Sequence, residues 1–203
     1  MKPGANRPLL SVVLLAVLAT ATVGRAAVPA KPVPGMTMNL PAPKLAGNES
    51  DWLNTGGKKL EFERGRVYVV EFWTFGCINC QHNLAAYARW QKRFEKERLT
   101  IIGIHSPETD AEKKTENVVE QVKKLGITYP VLLDQSLVNW GNWQQEIWPA
   151  VYLVDKRGQV RYRWLGELEW KNAGGEAAMG KAIQKLLSEP YDGKAGTRPN
   201  QAR

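Results

Sequence analysis

From Val67 to Trp73 the chain reads Val-Tyr-Val-Val-Glu-Phe-Trp, β-branched and aromatic residues broken by one carboxylate, which predicts a buried strand. The period then changes. Between Gln81 and Arg98, Leu84, Tyr87, Trp90 and Phe94 recur at helical spacing, predicting a helix over 79–97. Strand and helix patterns go on alternating: strand 99–105, helix 109–125, strand 129–133, a short helix over 137–145 and strand 150–154. Asp155-Lys156-Arg157-Gly158 is a hairpin turn into strand 159–165, and a last helix runs from Gly175 to Leu187. Earlier, Trp52-Leu53 and Leu60-Glu61-Phe62 flank the turn signal Asn54-Thr55-Gly56-Gly57, predicting a small N-terminal hairpin. Strands alternating with helices, closed by a hairpin and a helix, make an α/β three-layer sandwich. No internal repeat is present.

The ends carry different patterns. Lys2 and Arg7 precede an apolar run from Leu9 to Val23, and Ala19-Thr20-Ala21 or Gly24-Arg25-Ala26 satisfies a small-x-small cleavage rule. The run is shorter than the roughly 20 residues of a spanning helix, so a cleaved signal peptide over 1–26 is expected, the alternative being a membrane anchor over 9–23. Five prolines between Val28 and Pro43 predict a linker over 27–44. The domain proper is expected over 45–187, with a loose tail over 188–203. This order places the mature chain in the periplasm or otherwise outside the cytoplasm.

The formal charge of +8 falls to +5 once Lys2, Arg7 and Arg25 leave with the signal. The remaining charges mix signs along predicted helix faces, as in Glu95-Lys96-Glu97-Arg98 and Glu112-Lys113-Lys114, and read as solvated surface. No basic stripe interleaved with aromatics appears, which argues against a nucleic-acid partner.

Chemistry concentrates at Cys77-Ile78-Asn79-Cys80, the only two cysteines, placed where the strand hands over to the helix. A thiol at a helix N-terminus meets unpaired amides and the positive end of the dipole, which favour its thiolate. A second thiol one turn on can close a disulfide with it. A bridge over two residues removes little unfolded-state entropy, and eight tryptophans after residue 50 supply core without a staple. The pair reads as a redox switch. A zinc half-site would need two further ligands, with only His82 and His105 on offer.

Glu71 through Cys80 resembles the active-site segment of the thioredoxin-like superfamily, and Trp148-Pro149-Ala150-Val151-Tyr152-Leu153-Val154-Asp155 resembles its cis-proline loop. His105-Ser106-Pro107-Glu108 and Trp164-Leu165-Gly166-Glu167 strengthen the likeness to exported redoxin-like (AhpC/TSA-type) thiol–disulfide oxidoreductases, including the thioredoxin-like domain of DipZ-type proteins and cytochrome c maturation reductases. The resemblance covers about residues 45–187. It implies a thioredoxin-like α/β/α sandwich with a mixed central sheet, and a protein thiol–disulfide oxidoreductase without cofactor or metal. Cys77 would be the nucleophile, Cys80 the resolving thiol and Glu71 the proton donor and acceptor for Cys80. Trp148 and Pro149, joined by a cis bond, would bind the incoming peptide. Partners would be the thiols and disulfides of exported proteins, with a membrane electron donor recharging the pair. Ile78-Asn79 lacks the proline common in relatives and carries no charge, so an extreme oxidant is not indicated.

Two other classes compete. Thr74-x-x-Cys77 partly matches a thiol peroxidase, although Val70 stands where that pattern has proline. Cys77, Cys80 and His105 could serve as copper ligands, but copper-delivery relatives use a longer cysteine spacing.

Overall fold

The computed structural model describes Met1 and residues 38–193. The expected signal peptide, most of the linker and the end of the tail lie outside the described residues. Among the described residues, no helix is long and apolar enough to cross a membrane.

Among the described residues the core is a seven-stranded mixed sheet. At its centre, β3 (Val67–Trp73), β4 (Leu99–His105) and β5 (Val131–Leu133) run parallel, with Trp73 opposite His105 and His105 opposite Leu133. On the other side of β3, β6 (Ala150–Val154) and β7 (Gln159–Leu165) form the antiparallel hairpin predicted from the 155–158 turn. The two edges are two-residue strands, β1 (Leu40–Pro41) on β7 and β2 (Trp52–Leu53) on β5. The strand order is β1-β7-β6-β3-β4-β5-β2.

Every residue of β3 is buried, so its alternating side chains feed two cores. Val67, Val69 and Trp73 face α1 (Ile78–Arg93), α2 (Thr115–Lys124) and α4 (Gly175–Ser188). Tyr68, Val70 and Phe72 face the opposite layer, where Trp143 follows the short α3 (Val138–Asn142). Phe72, Trp143 and Tyr152 meet there at 5.0–6.1 Å between ring centres. Glu71 points to the α1 side, which sets up the candidate site.

The expected N-terminal hairpin is corrected. Its turn forms, with Asn54, Gly56 and Gly57 at positive φ, but Trp52–Leu53 pairs with Leu132 and Val131 of β5. Asn54 fixes that choice by donating from Nδ2 to the carbonyls of Ile127 and Tyr129, both at 3.0 Å. Phe62 is drawn instead onto the ring of Tyr68, 4.9 Å between centres. Two helices are shorter than expected. α1 stops at Arg93, with Phe94 leaving the helical conformation as its C-cap residue while remaining buried before β4. α2 begins at Thr115 rather than 109, since residues 109–114 form turns that aim Glu112 inward.

The start of the expected tail is held down. Lys156 Nζ donates to the carbonyls of Leu187 and Glu189 at 2.6 and 2.8 Å, and Arg161 bridges Asp155 and Glu189.

Candidate active site

The carboxyl ends of β3, β4 and β5 and the entry of β6 lie at one end of the sheet, and the chain segments leaving them build the site. Cys77 is the N-cap residue of α1. Its Sγ accepts from the Cys80 amide at 3.2 Å, and its carbonyl accepts from the amides of Cys80 and Gln81. Gln81 Nε2 ties back to the Phe75 carbonyl at 2.8 Å, clamping the turn to the helix. Cys77 and Cys80 are joined in a disulfide, with Cα atoms 5.3 Å apart. Their surroundings differ: Cys77 is half-buried beside the exposed Ile78, whereas Cys80 is 1% exposed and packs into the α1-side core. α1 carries no acid in its first turn and Lys92 and Arg93 in its last, so its dipole is complemented only at the far end.

Under α1, Glu71 is wholly buried. Burial pushes its carboxyl up to about 8, against the lowering effect of the Tyr129 hydroxyl, which donates to Oε1 at 2.9 Å. Gly103, opposite Glu71 on β4, makes room: a Cβ there would stand 2.7 Å from Glu71 Oε1 and 3.1 Å from both Trp73 Nε1 and Tyr129 Cε2. A carboxyl that changes charge near neutral pH, under the helix that carries a buried sulfur, can store and return a proton.

The Trp148–Pro149 bond is cis. Pro149 is buried, its carbonyl accepting from the Gly166 amide at 2.7 Å. Trp148 is half-buried. Its indole donates to the Ser106 carbonyl at 3.1 Å and lies against Trp140, with ring centres 4.0 Å apart. Asp134 indexes this wall, accepting from the Ser106 hydroxyl and from the amides of Asn139 and Trp140 at 2.8–2.9 Å. On the α1 flank, Asn83 Oδ1 accepts from the Leu168 amide at 2.8 Å, and His82 Nδ1 lies 3.1 Å from Glu167.

A second buried carboxylate adjoins the cysteine turn. Glu112 accepts from the Gly76 amide through Oε1 at 2.9 Å, and through Oε2 from the amides of Glu108 and Thr109 at 2.9 and 2.8 Å. Thr74 is buried, its hydroxyl 3.5 Å from Nε2 of His105, and His105 is enclosed by the rings of Trp73 and Phe75. Burial lowers the His105 imidazole to about 4, outweighing the raising influence of Glu112, so it stays neutral at pH 7.

The model of the AhpC/TSA family matches residues 38–163, most of the described domain and all of these groups up to Pro149. The chain belongs to the AhpC/TSA family. The chain is 40% identical over 129 residues to the protein DipZ of Mycobacterium tuberculosis, covering 62% of this chain and 18% of DipZ. It is 23% identical over 154 residues to the thiol-disulfide oxidoreductase YkuV of Bacillus subtilis, covering 76% of this chain and 99% of YkuV. The chain thus spans less than a fifth of the length of DipZ. Among solved structures, a thioredoxin-like superfamily protein superposes with a TM-score of 0.66 at 23% identity, over 75% of this chain and 99% of the other. A thiol-disulfide isomerase from Corynebacterium glutamicum gives a TM-score of 0.57 at 24% identity, over 73% and 98%. Both likenesses carry the fold alone, and it is the thioredoxin-like α/β sandwich.

In this AhpC/TSA-family chain two stretches of sequence, 71–80 and 148–149, reach the same end of the sheet, where Phe72 pairs with Ala150 and where Cys77 and Trp148 both pack against the core cluster that holds Cys80. His82 sits exposed on the helix flank, and His105 is shut behind Phe75. Glu112, read from sequence as solvated, is 1% exposed and is corrected to a buried anchor. The turn formed by Thr109 to Glu112 folds it inward, where four donors outweigh the lysines that follow it.

Proposed function

We propose that the chain is a protein thiol–disulfide oxidoreductase that acts outside the cytoplasm and reduces disulfides of exported proteins. The observation that carries this reading is the disulfide across the first turn of α1, with one sulfur half-buried and reachable and the other sealed in the core. In the reduced state the Cys77 thiolate attacks one sulfur of a substrate disulfide, forming a mixed disulfide as the other substrate sulfur leaves as a thiolate. Cys80 then passes its proton to Glu71 and attacks Cys77 Sγ, expelling the second substrate thiolate. Two electrons move to the substrate, and the Cys77–Cys80 disulfide is left for a membrane dithiol donor to reduce.

Trp148 and Pro149 support peptide capture, since a backbone edge beside the disulfide can pair with an extended substrate as an added strand. The signal peptide expected over 1–26 supports export. The peroxidase reading is disfavoured by Thr74, whose hydroxyl is buried with His105 and Glu112 and not left at the surface for a peroxide.

The test is a reduction potential with an insulin-reduction assay. A potential near that of thioredoxin, about −270 mV, with turnover abolished by Cys77→Ser, supports the reductase. A potential near −120 mV would make the protein an oxidant instead, and peroxide consumption without insulin reduction would favour the peroxidase.

A further inference from the structure

The turn that presents Cys77 is held by a buried anion from the loop that follows β4. Glu112 lies between β4 and α2, and its carboxylate gathers the amides of Gly76, Glu108 and Thr109 and the Thr109 hydroxyl at 2.8–3.1 Å. Gly76 is the position that admits it, because a Cβ there would stand 2.8 Å from Glu112 Oε1. Burial pushes this carboxyl up, but hydrogen bonds from Thr74, Gly76, Glu108 and Thr109 outweigh it and hold the group below the usual range, hence ionised. A fixed negative charge therefore sits against the residue adjoining Cys77.

Its effect opposes that of the helix. The Cys77 sulfur receives the Cys80 amide, which favours a thiolate, while the Gly76 amide is turned away to Glu112. The other titratable groups around this end of α1 do not supply the same charge. Glu167 is paired with His82, His105 is neutral behind Phe75, Glu108 is exposed, and Glu71 is buried beneath the helix. A destabilised thiolate lowers the stability of the dithiol relative to the disulfide and makes the pair a better reductant.

We propose that Glu112 is a positioning residue for the dithiol, fixing the Thr74–Cys77 turn through Gly76 and setting its charge against ionisation of Cys77. This rests on the pair being an exchange dithiol, and it names what biases that dithiol toward giving up electrons. The isosteric Glu112→Gln removes the charge and keeps an acceptor for Gly76. Glu112→Asp keeps the charge and changes the reach.

The experiment measures the rate of Cys77 alkylation against pH in the reduced full chain, and the dithiol's equilibrium with glutathione, with circular dichroism to verify folding. For E112Q the midpoint of the alkylation profile is expected to fall by about one pH unit. The glutathione equilibrium should move about tenfold toward the dithiol, which for two electrons is about 30 mV. For E112D the midpoint is expected to stay in place. A folded E112Q with an unmoved midpoint overturns the proposal, as does an E112D midpoint that falls equally far. If E112Q does not fold, G76A takes its place, since its Cβ would stand 2.8 Å from Glu112 Oε1 and push the carboxylate off the turn: a lowered midpoint supports the charge effect and an unmoved one overturns it. Insulin reduction by the unaltered chain tests the functional reading separately, so a failure there and a failure here are told apart.

Discussion

The hydroxyl of Tyr129 donates to Oε1 of Glu71 at 2.9 Å, and both groups are closed off from solvent. Tyr129 enters from just before β5 and Glu71 from the middle of β3, with the bare Gly103 of β4 between them. The bond stabilises the ionised carboxylate, burial opposes ionisation more strongly, and the balance leaves Glu71 titrating at about 8. That value suits a group that must both hold and release a proton near neutrality.

Replacing Glu71 with Gln should expose what this arrangement costs. The native carboxyl titrates at about 8 against an ordinary 4.5, so folded molecules hold a proton that unfolded ones release. Its contribution to stability is therefore fully present below pH 4.5 and is lost as pH rises through 8. Glu71→Gln has no such dependence. It should match the parent near pH 4 and exceed it by about 3 kcal/mol at pH 7 and about 4 kcal/mol at pH 8. Urea unfolding at several pH values measures this, and a pH-independent difference would refute the buried titration. Resolution of the mixed disulfide by Cys80 should slow in the same variant and lose its rise toward pH 8.

Tyr129→Phe deletes the donor and leaves the ring. Because that donor lowers the Glu71 value, the inflection in the rate of mixed-disulfide resolution should move above about 8. The lost hydrogen bond should cost about 1 kcal/mol of stability. Stopped-flow exchange across pH 6–10 decides it, and an inflection that stays fixed or moves down contradicts the assignment.

Gly103→Ala places a methyl 2.7 Å from Glu71 Oε1 and 3.1 Å from Trp73 Nε1 and Tyr129 Cε2. Strand backbone tolerates alanine, so the penalty is steric, about 1–3 kcal/mol. The Glu71–Tyr129 bond should be displaced with it. A thermal melt and an exchange profile indistinguishable from the parent would show that the strands yield there freely.

Limiting iodoacetamide should label Cys77 over Cys80 in the reduced protein, by roughly tenfold or more, since one thiol is reachable at the helix terminus and the other is 1% exposed. Peptide mass mapping reads the ratio, and preferential labelling of Cys80 would reverse their roles.

What could be read in the sequence was what local periodicity encodes. The all-buried β3, the 3.6-residue repeat of Leu84, Tyr87 and Trp90, and the turn before β7 appear where their patterns place them. The dithiol was legible because two cysteines at that junction have few other uses. Pairings decided by distant residues were not legible. Trp52–Leu53 joins β5 some eighty residues on because Asn54 reaches the carbonyls of Ile127 and Tyr129. Glu112 was hidden for the same reason: Glu-Lys-Lys reads as a wet helix face, and only the fold brings the Gly76 amide to it. Tyr129 likewise carries no sequence signal for its bond to Glu71, 58 residues away.

β6 runs antiparallel to β3, so its hairpin turn with β7 lies at the end of the sheet away from the disulfide. Leu40–Pro41 pairs with Val160 and Gln159 just past that turn, and Glu189 is tied to Lys156 and Arg161 beside it. Both entry to and exit from the domain are therefore at the pole opposite Cys77. A partner domain joined directly to the described segment, at Met38 or Gly193, would start from the pole away from the Cys77 sulfur. The same geometry lets such a unit be carried as one segment of a longer polypeptide, with the Cys77 end of the sheet left uncovered by the joins.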